Sequence, residues 1–203
     1  IYKMPAAHHG VFSLRQRRLR IDRYWRYQTK PDEAWLGHEH ELGQLLVERL
    51  SNAVALRMQA DVPVGLFLSG GIDSSAISAL AAKHRDGDKI NSFSVGFHQK
   101  SFDEEEYFSR VAKLTNTRHR AESLSVEKCI ELIPSIYGRL DEPMADSSLI
   151  PTFLLCQLAS QDITVALSGD GSDELLAGYD PIKALGPAAF YSQWMPKTLH
   201  GYL

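Results

Sequence analysis

Apolar and polar positions along this chain switch between two periods. From 37 to 60, Leu42, Leu46, Leu50 and Ala53, flanked by Leu45 and Val54, recur at helical spacing, and Asp61-Val62-Pro63 ends the run. Val64-Gly65-Leu66-Phe67-Leu68 follows, apolar throughout and bounded by turn residues, the pattern of a strand covered on both faces. Ser69-Gly70-Gly71 turns the chain into a helix over 74–84, where Ala76, Ala79 and Ala82 would allow close approach to a sheet. The unit then repeats. A strand is predicted over 90–96, and Ser101-Phe102-Asp103-Glu104 reads as a capping box opening a helix through Val111, Ala112 and Leu114. An extended piece over 119–124 precedes a helix capped by Ser125 that carries Ile130, Ile133 and Tyr137 on one face. A further helix over 150–160 leads to Ile163-Thr164-Val165-Ala166-Leu167, a second buried strand that also ends in Ser-Gly. Strands alternating with helices of this length predict an α/β fold, a doubly wound parallel sheet with helices on both faces.

Residues 1–26 follow a different rule. Val11-Phe12-Ser13-Leu14 and Leu19-Arg20-Ile21 are two short strand-like runs around a polar turn. Six arginines between Arg15 and Arg26 fit a hairpin whose edge is kept open by charge better than a phosphate-binding patch. Thr29-Lys30-Pro31-Asp32-Glu33 reads as a linker.

Composition narrows the picture. The 203 residues are 44% hydrophobic, enough for a core without staples, so a disulfide scaffold is excluded. Cys129 and Cys156 form no C-x-x-C and no metal-ligand set with histidine, which predicts two reduced, buried thiols. No apolar run reaches the roughly 18 residues that span a membrane, and no signal segment opens the chain, so a cytoplasmic location is expected. With 22 basic against 25 acidic residues, the charge balance points away from nucleic acid as a partner.

Chemistry concentrates at two strand ends, where open parallel sheets bind ligands. The first is Leu68-Ser69-Gly70-Gly71-Ile72-Asp73-Ser74-Ser75: glycines let the backbone approach an anion, serines supply hydroxyls, and a helix N-terminus points at the same spot. A P-loop is excluded, because no lysine follows Gly70 or Gly71 before Lys83. Asp73 stands where that lysine would be expected, and a carboxylate facing phosphates needs a divalent cation between them, so Asp73 is a candidate Mg²⁺ ligand. The second strand end, Leu167-Ser168-Gly169-Asp170-Gly171-Ser172-Asp173-Glu174, puts three carboxylates within five residues, which repel unless something positive joins them. Asp170 and Asp173 are read as metal or substrate residues, and Glu174 as a favourable charge at a helix start.

Ser69-Gly70-Gly71-Ile72-Asp73-Ser74 resembles the pyrophosphate-binding motif of the N-type ATP pyrophosphatases. With Asp141-Glu142-Pro143, Asp146-Ser147-Ser148, Ser168 to Glu174 and Gly178-Tyr179, the stretch from about 37 to 195 is similar to the synthetase domain of glutamine-hydrolysing asparagine synthetases. Pro5, His9 and the hairpin ending in Tyr24-Trp25 resemble the last strands of that family's glutaminase domain. The resemblance implies an adenine nucleotide α-hydrolase-like fold, with residues 1–30 the tail of a glutaminase domain plus linker, and 31–203 an ATP-pyrophosphatase domain cut short at its C-terminus.

What it implies for the site is specific. Ser69, Gly70, Gly71, Asp73, Ser74 and Ser75 would hold the pyrophosphate of ATP, with Asp73 and Asp173 on Mg²⁺. Adenine would lie against the backbones of Leu68 and Val95, with Ser168 and Gly169 nearby, and Asp146, Ser147 and Ser148 would lie near the phosphates and the acceptor. Asp170 stands where many members carry a glutamate acting as general base on ammonia. The implied reaction is adenylation of the aspartate side chain, release of pyrophosphate, and transfer of ammonia from glutamine to give asparagine and AMP. Two alternatives stay open: the same chemistry on another carboxylate, as in β-lactam synthetases and polysaccharide or peptide amidotransferases, or a nucleotide-binding module without catalysis. Implied partners are small molecules and the parent chain's glutaminase domain, with homodimerisation open. Neither cysteine fits the glutaminase nucleophile, and the family's catalytic lysine falls beyond Leu203, so the segment alone is expected to be inactive.

Overall fold

A computed structural model describes residues 2–28, 32–85, 87–97, 104–185, 187, 188 and 190. The chain divides into two compact units, Ile1–Leu45 and Leu46–Leu203.

The first unit holds a β-hairpin of β1 (His8–Ser13) and β2 (Arg18–Arg23), paired antiparallel with Ser13 opposite Arg18. Phe12 faces Leu19 and Gly10 faces Ile21 on one side, while Val11 with Arg20 and His9 with Asp22 occupy the other. Arg20 Nε donates to Asp22 Oδ2 at 2.7 Å. Phe12, Leu19 and Ile21 remain about half exposed. A short 3₁₀ turn over Glu33–Trp35 is capped by the Asp32 carboxylate. Thr29, Lys30 and Pro31 of the expected linker lie outside the described residues.

The second unit is a four-stranded parallel sheet in the order β5-β4-β3-β6, formed by β3 (Val64–Phe67), β4 (Asn91–Phe97), β5 (Arg118–Leu124) and β6 (Val165–Leu167). Successive strand residues point to opposite faces, and each face has its own helical cover. Leu66 packs with Val54 of α1 (Glu39–Met58) and with Leu80 and Ala81 of α2 (Ile72–His84). Leu68, two residues on, meets Phe108 and Ala112 of α3 (Glu105–Leu114). Phe67 and Phe93 face the other way, onto Leu155, Leu158 and Ala159 of α5 (Leu149–Ala159). Beyond them, Leu124 and Val95 meet Leu132 and Ile136 of α4 (Val126–Tyr137). The expected doubly wound α/β sheet with helices on both faces is therefore present. Fully burying a Leu or Phe side chain contributes about 1.5–3 kcal/mol, and Leu66, Leu68, Phe93, Phe108 and Leu154 are all almost fully buried.

Several helix faces differ from the expectation. Ser74, Ser78 and Ala81 form the buried stripe of α2, with Ala79 on the solvent side, so the Ala76/Ala79/Ala82 row is not the one that packs. In α4 the buried stripe is Leu132 and Ile136 with Cys129 beside them, and Ile130, Ile133 and Tyr137 are turned outward. α4 carries two apolar stripes, and packing against α5 selects one. The N-terminal cap position of α3 is Glu104, without a side-chain capping bond, so the helix starts later than the capping box implied. Ser101, Phe102 and Asp103 lie outside the described residues. Ser125 does cap α4, accepting from Lys128 N–H at 3.2 Å. Both cysteines are free as expected, but only Cys129 is partly buried. Cys156 is exposed, because α5 is apolar around much of its circumference and Leu154, Leu155 and Leu158 take the inward side. Among the described residues no helix is long and apolar enough to cross a membrane.

Candidate active-site cleft

The strand order reverses between β3 and β6: the chain runs outward from β3 through β4 to β5, then returns to place β6 on β3's other side. Such a switch point leaves a crevice at the carboxyl ends of the two strands. Both Ser-Gly segments emerge there, and they line one cleft of about 580 Å³, within the size range of small-molecule sites.

The first loop is a closed set of hydrogen bonds. Ser69 N–H donates to Ser74 Oγ at 3.2 Å, Ser74 O–H donates to the Gly71 carbonyl at 3.3 Å, and Gly71 N–H donates to Ser69 Oγ at 3.3 Å. The two serine hydroxyls stand 2.9 Å apart. Gly70 has φ +85°, and a Cβ there would stand 2.6 Å from Tyr107 Cβ and 2.7 Å from Phe108 N. Only glycine meets both demands. The cap residue of α2, Gly71, offers no side-chain bond to the first turn, whose amide groups therefore have no side-chain cap. The second loop presses against this same turn: a Cβ on Gly169 would stand 2.8 Å from Ser74 N and 2.9 Å from Asp73 Cβ. In that loop Ser168 O–H donates to Asp170 Oδ2 at 2.8 Å, and Ser172 O–H donates to the Gly169 carbonyl at 2.6 Å.

Of the residues singled out from sequence, Leu68, Ser69, Gly71, Asp73, Ser74, Val95, Ser168, Gly169, Asp170 and Asp173 line the cleft. Gly70 sits behind it against α3, and Ser75 continues α2 with its N–H on the Gly71 carbonyl at 3.0 Å. Asp146, Ser147 and Ser148 do not line it. They precede α5, where Asp146 Oδ1 accepts from both the N–H and the O–H of Ser148 at 2.8 Å. The backbone bond first, then the hydroxyl, holds the Asp146 carboxyl below the usual carboxylate range.

The cleft also contains residues that sequence reasoning missed. Ser94, buried on β4, donates its hydroxyl to the Leu68 carbonyl. Phe67, Phe97, Pro151 and Leu155 supply an apolar wall, with Thr152 beside them. No periodicity signals them, because α5 meets this face of the sheet only in the tertiary fold. Glu174, read as a helix-start charge, lines the cleft and accepts a 2.6 Å bond from Tyr179 O–H. That bond lowers the Glu174 pKa and raises that of Tyr179. With Glu104, five carboxylates line the cleft (Asp73, Glu104, Asp170, Asp173 and Glu174), and none of the described lining residues is Lys, Arg or His.

A family model described as asparagine synthase matches residues 45–201, more than three quarters of the chain. The chain belongs to the asparagine synthase family. It is 42% identical over 130 residues to a Mycobacterium tuberculosis (strain ATCC 25618 / H37Rv) protein whose name, asparagine synthetase (glutamine-hydrolyzing), is itself provisional, covering 64% of this chain and 20% of that protein. It is 35% identical over 157 residues to asparagine synthetase (glutamine-hydrolyzing) 1 of Bacillus subtilis (strain 168), covering 77% of this chain and 24% of that one. Among solved structures it is similar to the glutamine-dependent NAD⁺ synthetase from Acinetobacter baumannii in complex with adenosine diphosphate, at 18% identity and a TM-score of 0.49. That match covers 84% of this chain and 31% of the other. The chain thus spans a fifth to a quarter of the length of the two curated relatives. Within the family match, the two Ser-Gly loops and the cleft between them are both included.

Proposed function

We propose that the cleft binds ATP and activates a carboxylate for amide formation, as part of a glutamine-dependent amide ligase of asparagine synthetase type. The observation that carries this reading is the direct packing of Gly169 on the first turn of α2, which joins the two Ser-Gly loops into one anion-facing floor at the β3/β6 switch point. The uncapped first turn of α2 and the hydroxyls of Ser69 and Ser74 suit phosphate oxygens. The wall of Phe67, Leu68, Val95, Phe97 and Leu155 suits a purine.

Five carboxylates facing a polyphosphate require positive charge, and the donor set fits Mg²⁺. Among the described residues no three His, Cys, Asp or Glu side chains form a metal cage by themselves, but Mg²⁺ commonly takes one or two carboxylates plus substrate phosphates. Asp73 and Asp173 are the assigned pair, and the bound ion would neutralise charge on the departing pyrophosphate. A substrate carboxylate oxygen bonds to the α-phosphorus as the α–β bridging bond breaks. Ammonia then bonds to the acyl carbon as the carbon–oxygen bond to AMP breaks, and Asp170 takes the released proton. Ser168 holds one Asp170 oxygen in its hydrogen bond, which fits a carboxylate kept as an acceptor.

Aspartate is the proposed acceptor. Pyrophosphate release by the full-length protein, assayed with ATP, Mg²⁺, glutamine and a panel of carboxylates, tests this: stimulation by aspartate with asparagine formed is expected. Stimulation by a different carboxylate alone would transfer the same chemistry to that substrate. ATP binding without turnover on any carboxylate would favour the non-catalytic module. Asp73→Asn is expected to lower pyrophosphate release at least about a hundredfold, the scale on which preorganised charge stabilisation acts, with the unfolding midpoint unchanged. Unaltered turnover would remove Asp73 from the reaction.

A further inference from the structure

Gly178 and Tyr179 belong to the second motif by sequence, yet neither takes part in the proposed reaction. After α6 (Ser172–Leu176) the chain doubles back: Ala177 takes a left-handed conformation at φ +58°, and Gly178 N–H donates to the Asp173 carbonyl at 3.1 Å. Tyr179 O–H then reaches Glu174 Oε1 at 2.6 Å. The return is so tight that a Cβ on Gly178 would overlap Asp173 Oδ1 and stand 3.0 Å from Asp173 Cγ. Gly178 itself is not among the residues with positive φ. Its backbone conformation is therefore open to any residue, and what calls for glycine is space beside one particular carboxylate.

The geometry points to Gly178 and Tyr179 as positioning residues, a strut that aims the Asp173 carboxylate into the cleft and holds the neighbouring Glu174 apart from it. The Gly178 backbone limits where the Asp173 carboxylate can turn. Tyr179 engages one Glu174 oxygen, so the two adjacent acids have different duties: Glu174 is tied to the fold, and Asp173 is left for a cation. This rests on the reading of Asp173 as a divalent-cation ligand. Partners that orient a ligand without touching the metal commonly change metal affinity by about 10–100-fold when altered.

The test measures Mn²⁺ binding by electron paramagnetic resonance in the full-length protein, with the non-cleavable analogue α,β-methylene-ATP present. Gly178→Ala is expected to weaken Mn²⁺ binding at least about tenfold, while metal-free nucleotide affinity and the unfolding midpoint stay unchanged. Tyr179→Phe keeps the ring and removes only the hydroxyl. It is expected to weaken Mn²⁺ binding by a smaller factor, with metal-free nucleotide affinity unchanged. Asp173→Asn separates the ligand from the strut that holds it. If it weakens Mn²⁺ and Gly178→Ala does not, the strut is overturned while the ligand stands. If Asp173→Asn binds Mn²⁺ as the parent does, the ligand assignment fails and the strut falls with it. Should Gly178→Ala not fold, Tyr179→Phe decides: unmoved Mn²⁺ affinity overturns the proposal.

Discussion

Gly169 is the residue through which the two halves of the cleft touch. Its absent side chain lets one loop rest on the first turn of α2, and a methyl group there would meet backbone rather than a flexible side chain. Overpacking of this kind costs about 1–3 kcal/mol, so Gly169→Ala is expected to lower the unfolding free energy in urea by that amount and to abolish the proposed nucleotide binding. Wild-type binding by this variant would mean that the loops need not touch. Asp146 offers a second check at this scale. The Ser148 N–H and O–H favour its ionised form, so the folded pKa lies below the unfolded one. Any contribution to stability is therefore present above the unfolded pKa and lost as pH falls through the folded value. Because Asp146 is exposed, the clean readout is its own titration: Ser148→Ala removes the hydroxyl bond and is expected to raise the Asp146 midpoint in NMR while leaving the backbone bond. At this scale the sequence was informative for the glycines, serines and acids of the two loops, whose chemistry follows from residue type and chain order. It was silent on Ser94, Thr152 and Leu155, whose place in the cleft depends on which strand and helix lie opposite.

At the scale of elements, the existence and type of the sheet strands and of the helices that cover them followed from period, and the packed face did not. α4 shows why. Cys129, Leu132 and Ile136 form one apolar stripe and Val126, Ile130, Ile133 and Tyr137 another, both at helical spacing, and only contact with α5 and β5 distinguishes them. The same holds for α2, where serines at 74 and 78 are buried while Ala79 is exposed. β5 adds a pH-sensitive position. His119 packs against Phe108 with ring centroids 5.3 Å apart, its Nδ1 lies 2.9 Å from Ser92 Oγ, and its Nε2 is buried without a partner among the described residues. Burial lowers its pKa below the ordinary 6.5. The unfolded chain then binds the proton more readily, so stability is full above about pH 6.5 and is lost as pH falls toward the folded pKa. Urea midpoints measured from neutral to mildly acidic pH are expected to fall for the parent chain and to fall less for His119→Gln. Parallel curves would show that this imidazole stays solvated.

At the scale of the whole molecule, the cleft exists because β6 returns to the far side of β3. Residues about a hundred positions apart, Ser69 and Ser168, thereby come to one switch point. The first unit poses a different physical problem. Its hairpin pairs Phe12 with Leu19 on one face and leaves both about half exposed, and two strands alone are marginal in water. A peptide of residues 2–28 is expected to show no cross-strand amide protection by hydrogen exchange, and strong protection would mean that the hairpin holds itself. The sequence by itself determined the alternation of strands and helices, the parallel sheet and the two Ser-Gly loops, because hydrophobic period and turn chemistry are local properties. Tertiary structure alone decided which helical stripes are buried, that Glu174 and Tyr179 face the cleft, and that Asp146 to Ser148 do not. Those outcomes depend on strand order and on which surfaces meet, and neither is a property of any single stretch of chain.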